Sequence, residues 1–140
     1  MGVSYLCTTL NSGRVIADTD TFLSEGKQQW PDCEAKPLSS DDLETDADIL
    51  LEPDGASTII SHFRDGQLIS VDGADLEEAA DIAVWVRSLN PDPNLVLWFT
   101  TDNFNGHTVM TPGITPQQVI DQWVDHSEHD PYAEYPEYFS

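Results

Sequence analysis

The sequence predicts an α+β fold: an antiparallel sheet of about four to six strands with two helices packed on one face, built on a ββαββα core. Three observations predict it. Residues 76–89 and 116–124 carry apolar residues at helical spacing. Residues 57–63 with 68–71, and 95–100 with 107–110, are strand-length runs joined by turn residues. Consecutive hairpins of this kind favour antiparallel pairing. At 140 residues the chain is read as one domain, long enough to bury a core.

The first segment, residues 3–9, alternates weakly and reads as a strand. Asn11-Ser12-Gly13 is a turn, with residues 14–17 as a possible partner strand. Residues 18–40 give no clear element. Trp30 should pack, but Pro31 and Pro37 argue for irregular backbone. Residues 41–54 hold seven acids and no base, and read as an acidic loop or short helix. Leu43, Ile49, Leu50 and Leu51 would anchor a short helix or strand there. Asp65-Gly66 between apolar flanks is a type I′ hairpin signal.

The segment 76–124 is the clearest packed unit, with three of the four tryptophans, Trp85, Trp98 and Trp123. Leu76, Ala79, Ile82, Ala83, Val86 and Leu89 fall on one helical face. Asp75, Glu77, Glu78 and Asp81 suit the positive end of the helix dipole. Asn90-Pro91 ends the helix, because a residue before proline is driven out of the α region. In residues 95–100, Leu95, Leu97 and Phe99 share one face and Val96 and Trp98 the other. Two apolar faces predict a central strand covered on both sides. Thr115-Pro116-Gln117-Gln118 predicts a capped helix start, with Thr115 and Gln118 as a capping box and Pro116 in the first turn. Val119, Ile120, Trp123 and Val124 would be its buried stripe.

Charge is the outlier in the composition. There are 26 Asp and Glu against five Lys and Arg, a formal net charge of −21. Residues 1–40 hold five acids and three bases; residues 41–140 hold 21 acids and two bases, Arg64 and Arg87. Such a chain repels nucleic acid and anionic membrane and attracts basic surfaces. No apolar run approaches the roughly 18 residues of a membrane span. The N-terminus lacks a basic start and a long apolar stretch, so no signal peptide and a cytoplasmic location are expected. Cys7 and Cys33 have no metal or redox spacing and read as two unlinked thiols.

Catalytic signatures are absent from the sequence. It has no Gly-x-Ser-x-Gly elbow, Cys–His arrangement, Gly-x-Gly-x-x-Gly or Walker motif. His62 and His107 lie on predicted strands and read as structural. Asp125, His126, Glu128, His129 and Asp130 are ligand types, and His126 and His129 are spaced to share a helical face. Their spacing matches no zinc site, and a solvated helix end is the preferred reading. No enzyme activity, cofactor or metal is expected.

Acids combined with aromatics remain. Aromatic side chains supply contact area, and carboxylates accept hydrogen bonds from arginine and steer association. Three stretches are candidates for partner binding. The first is the acidic run with Asp41, Asp42, Glu44, Asp46 and Asp48. The second is the hairpin loop with Asp102 and Phe104. An aromatic between two asparagines at a loop tip has little core value, so Phe104 either meets a partner or folds back onto the sheet. The third is the acidic, tyrosine-rich tail of residues 125–140, with Tyr132, Glu134, Tyr135, Glu137 and Tyr138. In a polyproline II conformation its three tyrosines would line one face. Deleting residues 131–140 is then expected to weaken binding and leave the melting temperature nearly unchanged.

The helix end Trp85-Val86-Arg87-Ser88-Leu89-Asn90-Pro91, the strand 95–99, and Asp102-Asn103-Phe104-Asn105-Gly106-His107 leading to Pro112-Gly113-Ile114-Thr115 resemble the small acidic immunity proteins of bacterial polymorphic-toxin and contact-dependent inhibition systems. The resemblance spans roughly residues 56–124. It implies a cytoplasmic, non-enzymatic inhibitor that pairs with a basic toxin domain, one acting on nucleic acid, and covers its active site or substrate surface. Two other readings share the charge logic: a DNA-mimic inhibitor of a nucleic-acid-binding protein, and an acid-rich protein of a salt-loving organism.

Overall fold

The computed structural model describes residues 4–10, 14–38, 44–51 and 57–137. Its elements are β1 (Tyr5–Thr9), α1 (Thr19–Gln29), β2 (Glu34–Pro37), β3 (Thr45–Leu51), β4 (Thr58–Phe63), β5 (Leu68–Asp72), α2 (Leu76–Ser88), β6 (Leu97–Thr101), β7 (Gly106–Val109), α3 (Pro116–Asp121), β8 (Val124–Asp125) and α4 (Pro131–Glu134). The sheet order is β2-β3-β4-β5-β1-β6-β7-β8, and every neighbouring pair is antiparallel. Two meanders, β2 to β5 and β6 to β8, are thus joined through the N-terminal strand. Tyr5 lies opposite Val71 on one side and Thr101 on the other.

Strand alternation divides the sheet into two faces. Ala47, Ile49, Ile60, Ile69, Val71, Cys7 and Phe99 lie on one face, and all are buried. Three helices cover it. Phe22 of α1 packs on His62, and α3 is fastened by Thr108 Oγ1 donating to the Val119 carbonyl at 2.7 Å. α2 lies over β1 and β5 and against α3, contributing Ala79, Ile82, Ala83 and Val86 to the core. Gly26 lets α1 approach β3, since a Cβ there would stand 2.2 Å from Ile49 Cδ1. α4 lies on the opposite face, where Tyr135 at its end meets Trp98 and His107.

The coarse prediction of one antiparallel sheet with helices holds, but the dimensions differ. Among the described residues the sheet has eight strands rather than four to six, and there are four helices rather than two. Residues 18–40, unread in the sequence, contain α1 and β2. Asp18 caps α1, accepting from the Thr21 N–H at 2.7 Å. Pro37 is tolerated because β2 is an edge strand, where a missing N–H breaks no ladder. Residues 14–17 form no strand; β1 takes β5 and β6 as its partners. The acidic run, read as a loop or as a short helix or strand, contains strand β3, with Ala47, Ile49 and Leu51 inward.

Two local expectations are met: the Thr115–Gln118 capping box is formed, and β6 is buried along its whole length. Asp75, read in the sequence only as a charge at the helix start, also caps α2. Others need correction. Leu76 is 41% exposed instead of facing the core. The β4–β5 turn is not type I′, because Gly66 has a positive φ and Asp65 does not. α3 stops at Asp121, so Trp123 lies beyond the helix and Val124 pairs with His107 as part of β8.

Arg87, 3% exposed, holds the end of α2. It donates to the carbonyls of Met110 (3.0 Å), Asp92 (2.9 Å) and Asn90. Cys7 and Cys33 are buried and free, and burial pushes the Cys7 thiol up to about 12. Among the described residues no helix is long and apolar enough to cross a membrane.

Candidate functional site

The tip of the β6–β7 hairpin divides two surfaces. Its loop is held by the Phe104 N–H donating to the Thr101 carbonyl at 3.0 Å and by Thr101 Oγ1 donating to Asn105 Oδ1 at 2.6 Å. Phe104 has a φ of 51°, in the left-handed region that costs a side-chain-bearing residue roughly 1–2 kcal/mol. That conformation sets its carbonyl 2.7 Å from His126 Nδ1. The Phe104 ring is half-buried and folds back towards His126 (4.5 Å between centroids), Tyr132 (6.3 Å) and Trp98 (6.4 Å).

Trp98 and His107 form the floor of the aromatic face, stacked at 3.7 Å with planes 6° apart. His107 Nδ1 lies 2.8 Å from His126 Nε2. A carbonyl only accepts, so His126 Nδ1 carries a proton towards Phe104. With His126 neutral, its Nε2 accepts from His107 Nδ1–H, which leaves His107 Nε2 as a bare lone pair. That nitrogen is buried and meets no hydrogen-bond partner among the described residues. Burial, then the neighbouring His126 and His129, lower the His107 pKa to about 4. Tyr135 packs edge-on over both rings, 4.9 Å from Trp98 and 5.5 Å from His107.

The tail that supplies Tyr135 is not polyproline II. Asp130 caps a single helical turn, accepting from the Tyr132 N–H at 3.0 Å, with Pro131 at its start. This separates the tyrosines: Tyr135 is half-buried, while Tyr132 is 60% exposed. His126 and His129 share no helical face, because residues 126–129 turn directly after β8. His126 points to the aromatic face, and His129 pairs with Glu134 at 3.2 Å.

The other surface is an apolar cleft of about 320 Å³ on the helix side of the hairpin. Tyr5, Leu76, Val119, Ile120 and Trp123 line it, with Thr101 and Asn105. Trp123 lies flat on Gly106, where a Cβ would stand 2.3 Å from the indole. Tyr5 stacks on Phe99 at 5.4 Å, and Trp123 meets Phe99 edge-on at 6.2 Å.

The fold therefore joins two of the three predicted stretches. The hairpin loop, with Asp102 exposed at its start, meets the tail through Phe104 and Tyr132. Glu134 and Glu137 are exposed in the tail. Glu44, Asp46 and Asp48 lie at the far end of the sheet, in or beside β3. Asp46 is engaged internally: its oxygens accept from Thr19 Oγ1 (2.6 Å) and His62 Nδ1 (2.6 Å). Burial pushes the Asp46 carboxyl up, but these hydrogen bonds and the His62 and Arg64 charges outweigh it and hold it below the usual range. Asp41, Asp42 and Tyr138 lie outside the described residues. Sequence reading passed over the cleft and the role of His126. The exposed Leu76 at a helix start and the buried Trp98 are meaningful only once β1 and the tail are in place.

Residues 102–137 contain seven acids, all exposed, and no lysine or arginine. Elsewhere three of the five bases bind acceptors of this chain: Arg14 on Asp92, Lys27 on the Cys33 carbonyl and Arg87 on three carbonyls. Among the described residues no three His, Cys, Asp or Glu side chains gather as a metal site. No family model, curated protein or solved structure matches the chain.

Proposed function

We propose that this protein is an inhibitor of the immunity type, which binds a basic toxin domain and covers its active site or substrate surface. The observation that carries this is the hairpin-tip surface. Residues 102–137, which supply its loop and tail, carry seven exposed carboxylates and no lysine or arginine, and the fold gathers their aromatics Phe104, Tyr132 and Tyr135 beside Trp98 and His107. Exposed carboxylates with no lysine or arginine in the same segment accept charge-assisted hydrogen bonds from a partner's arginine. Tyr132 adds rigid contact area beside them, of the kind that carries binding energy at interfaces. The protein acts by occupancy: Asp102, Tyr132, Glu134 and Glu137 compete for basic residues that otherwise hold an anionic substrate.

The test is capture of the product of the neighbouring gene by the tagged protein at low and high salt. A stoichiometric complex that survives high salt, with the partner's activity abolished, is the expected result. Retention of many basic proteins, all released by salt, would mean that the charge is generic and the reading is wrong.

A further inference from the structure

We propose that the cleft between α2, α3 and the β6–β7 hairpin receives one apolar side chain carried on a basic segment of the partner. This rests on the basic-partner reading above and gives it a second contact surface. The walls are apolar: Tyr5, Leu76, Val119, Ile120 and Trp123. The Thr101 hydroxyl is already donated to Asn105, so the floor makes no demand for a hydrogen bond from that group. Leu76 stays 41% exposed at the first turn of a helix whose next turn buries Ala79, Ala80, Ile82 and Ala83. A cavity of about 320 Å³ has room for a leucine or an aromatic ring.

Charge selects the occupant. Asp75 and Glu77 flank Leu76, Asp102 follows Thr101, Asp121 follows Ile120 and Asp125 lies just beyond Trp123; all five acids are exposed. No lysine or arginine lines the cleft. An apolar pocket inside a polar rim is the arrangement that concentrates binding energy, because the rim excludes water from the anchor. Exposed acids next to the lining residues in the chain attract arginine or lysine beside that anchor and repel an acidic segment.

Two arginine-rich peptides test this, one with a central leucine and one with serine in its place, by titration against the full chain with methyl NMR. The leucine peptide is expected to bind roughly tenfold more tightly and to shift the Leu76, Val119 and Ile120 methyl signals. Leu76→Gln should abolish that difference and leave serine-peptide binding unchanged. Ile59→Gln, at an exposed position on the other face of the sheet, should change neither. Equal affinity for both peptides with the cleft methyls unmoved would overturn the cleft proposal and leave the basic-partner reading standing. Binding of neither peptide at low salt would remove both.

Discussion

His107 Nδ1 and His126 Nε2 are 2.8 Å apart, and His126 Nδ1 lies 2.7 Å from the Phe104 carbonyl at the other end of this chain of hydrogen bonds. The pair ties strand β7, the hairpin loop and the segment after β8 together. It also leaves a buried imidazole that folding holds neutral.

Stability should therefore depend on pH through His107. Its pKa falls from 6.5 to about 4 on folding, because burial penalises the charged ring. A lowered pKa means that the unfolded chain binds the proton first. The contribution is complete above about 6.5 and is lost as pH falls from there towards 4. The loss is on the order of 3 kcal/mol. Urea unfolding at pH 7, 5.5 and 4.5 measures it. A His107→Gln variant with an unchanged slope would assign the effect elsewhere.

Removing the tail should now cost stability, contrary to the expectation from sequence. Tyr135 covers Trp98 and His107, and Pro131 is buried. Deletion of residues 131–140 is expected to lower Tm by roughly 5–10 °C, the equivalent of losing one buried aromatic. Tyr132→Ala, at a position 60% exposed, should leave Tm within about 2 °C and weaken partner binding. Unaltered binding by both Tyr132→Ala and the Asp102→Ala, Phe104→Ala double variant would take the aromatic face out of the contact.

Asp46 should behave as a structural residue. His62 Nδ1 lies 2.6 Å from the Asp46 carboxylate and its Nε2 2.8 Å from the Ala17 carbonyl, so the buried ring is held at both nitrogens. Asp46→Ala leaves His62 buried beside one lost acceptor and should destabilise by about 2 kcal/mol without altering partner affinity. Because the Asp46 pKa is lowered, its contribution is present above about 3.8 and fades as pH falls further. A variant of full stability would show that the contact is not formed in solution.

Gly106→Ala should disturb the cleft. The new methyl group meets the Trp123 indole at 2.3 Å, and the ring must move. A loss of about 1–3 kcal/mol is expected, with a change in tryptophan emission and weaker binding of the leucine peptide. Unchanged emission would mean that Trp123 does not rest on Gly106.

The sequence by itself determined the features written within a few residues of each other. The acids at the start of α2, the Thr115–Gln118 capping box, the stop at Asn90-Pro91 and the two-sided burial of β6 depend on local electrostatics, hydrogen bonding and alternation. The net charge of −21, and its concentration after residue 40, are likewise properties of the chain. Tertiary structure decided the rest. β1 became a central strand because two meanders each offered it an edge, β5 and β6. β3 drew most of an acidic run into the sheet because Ala47, Ile49 and Leu51 alternate inward while Asp46 found Thr19 and His62. α3 ended early because Val124 was taken by β7, which left Trp123 to line a cleft. The tail folded onto Trp98 and His107 because those side chains lay on the sheet face that the three larger helices left uncovered. Each of these outcomes depends on partners far apart in the chain, which no local pattern encodes.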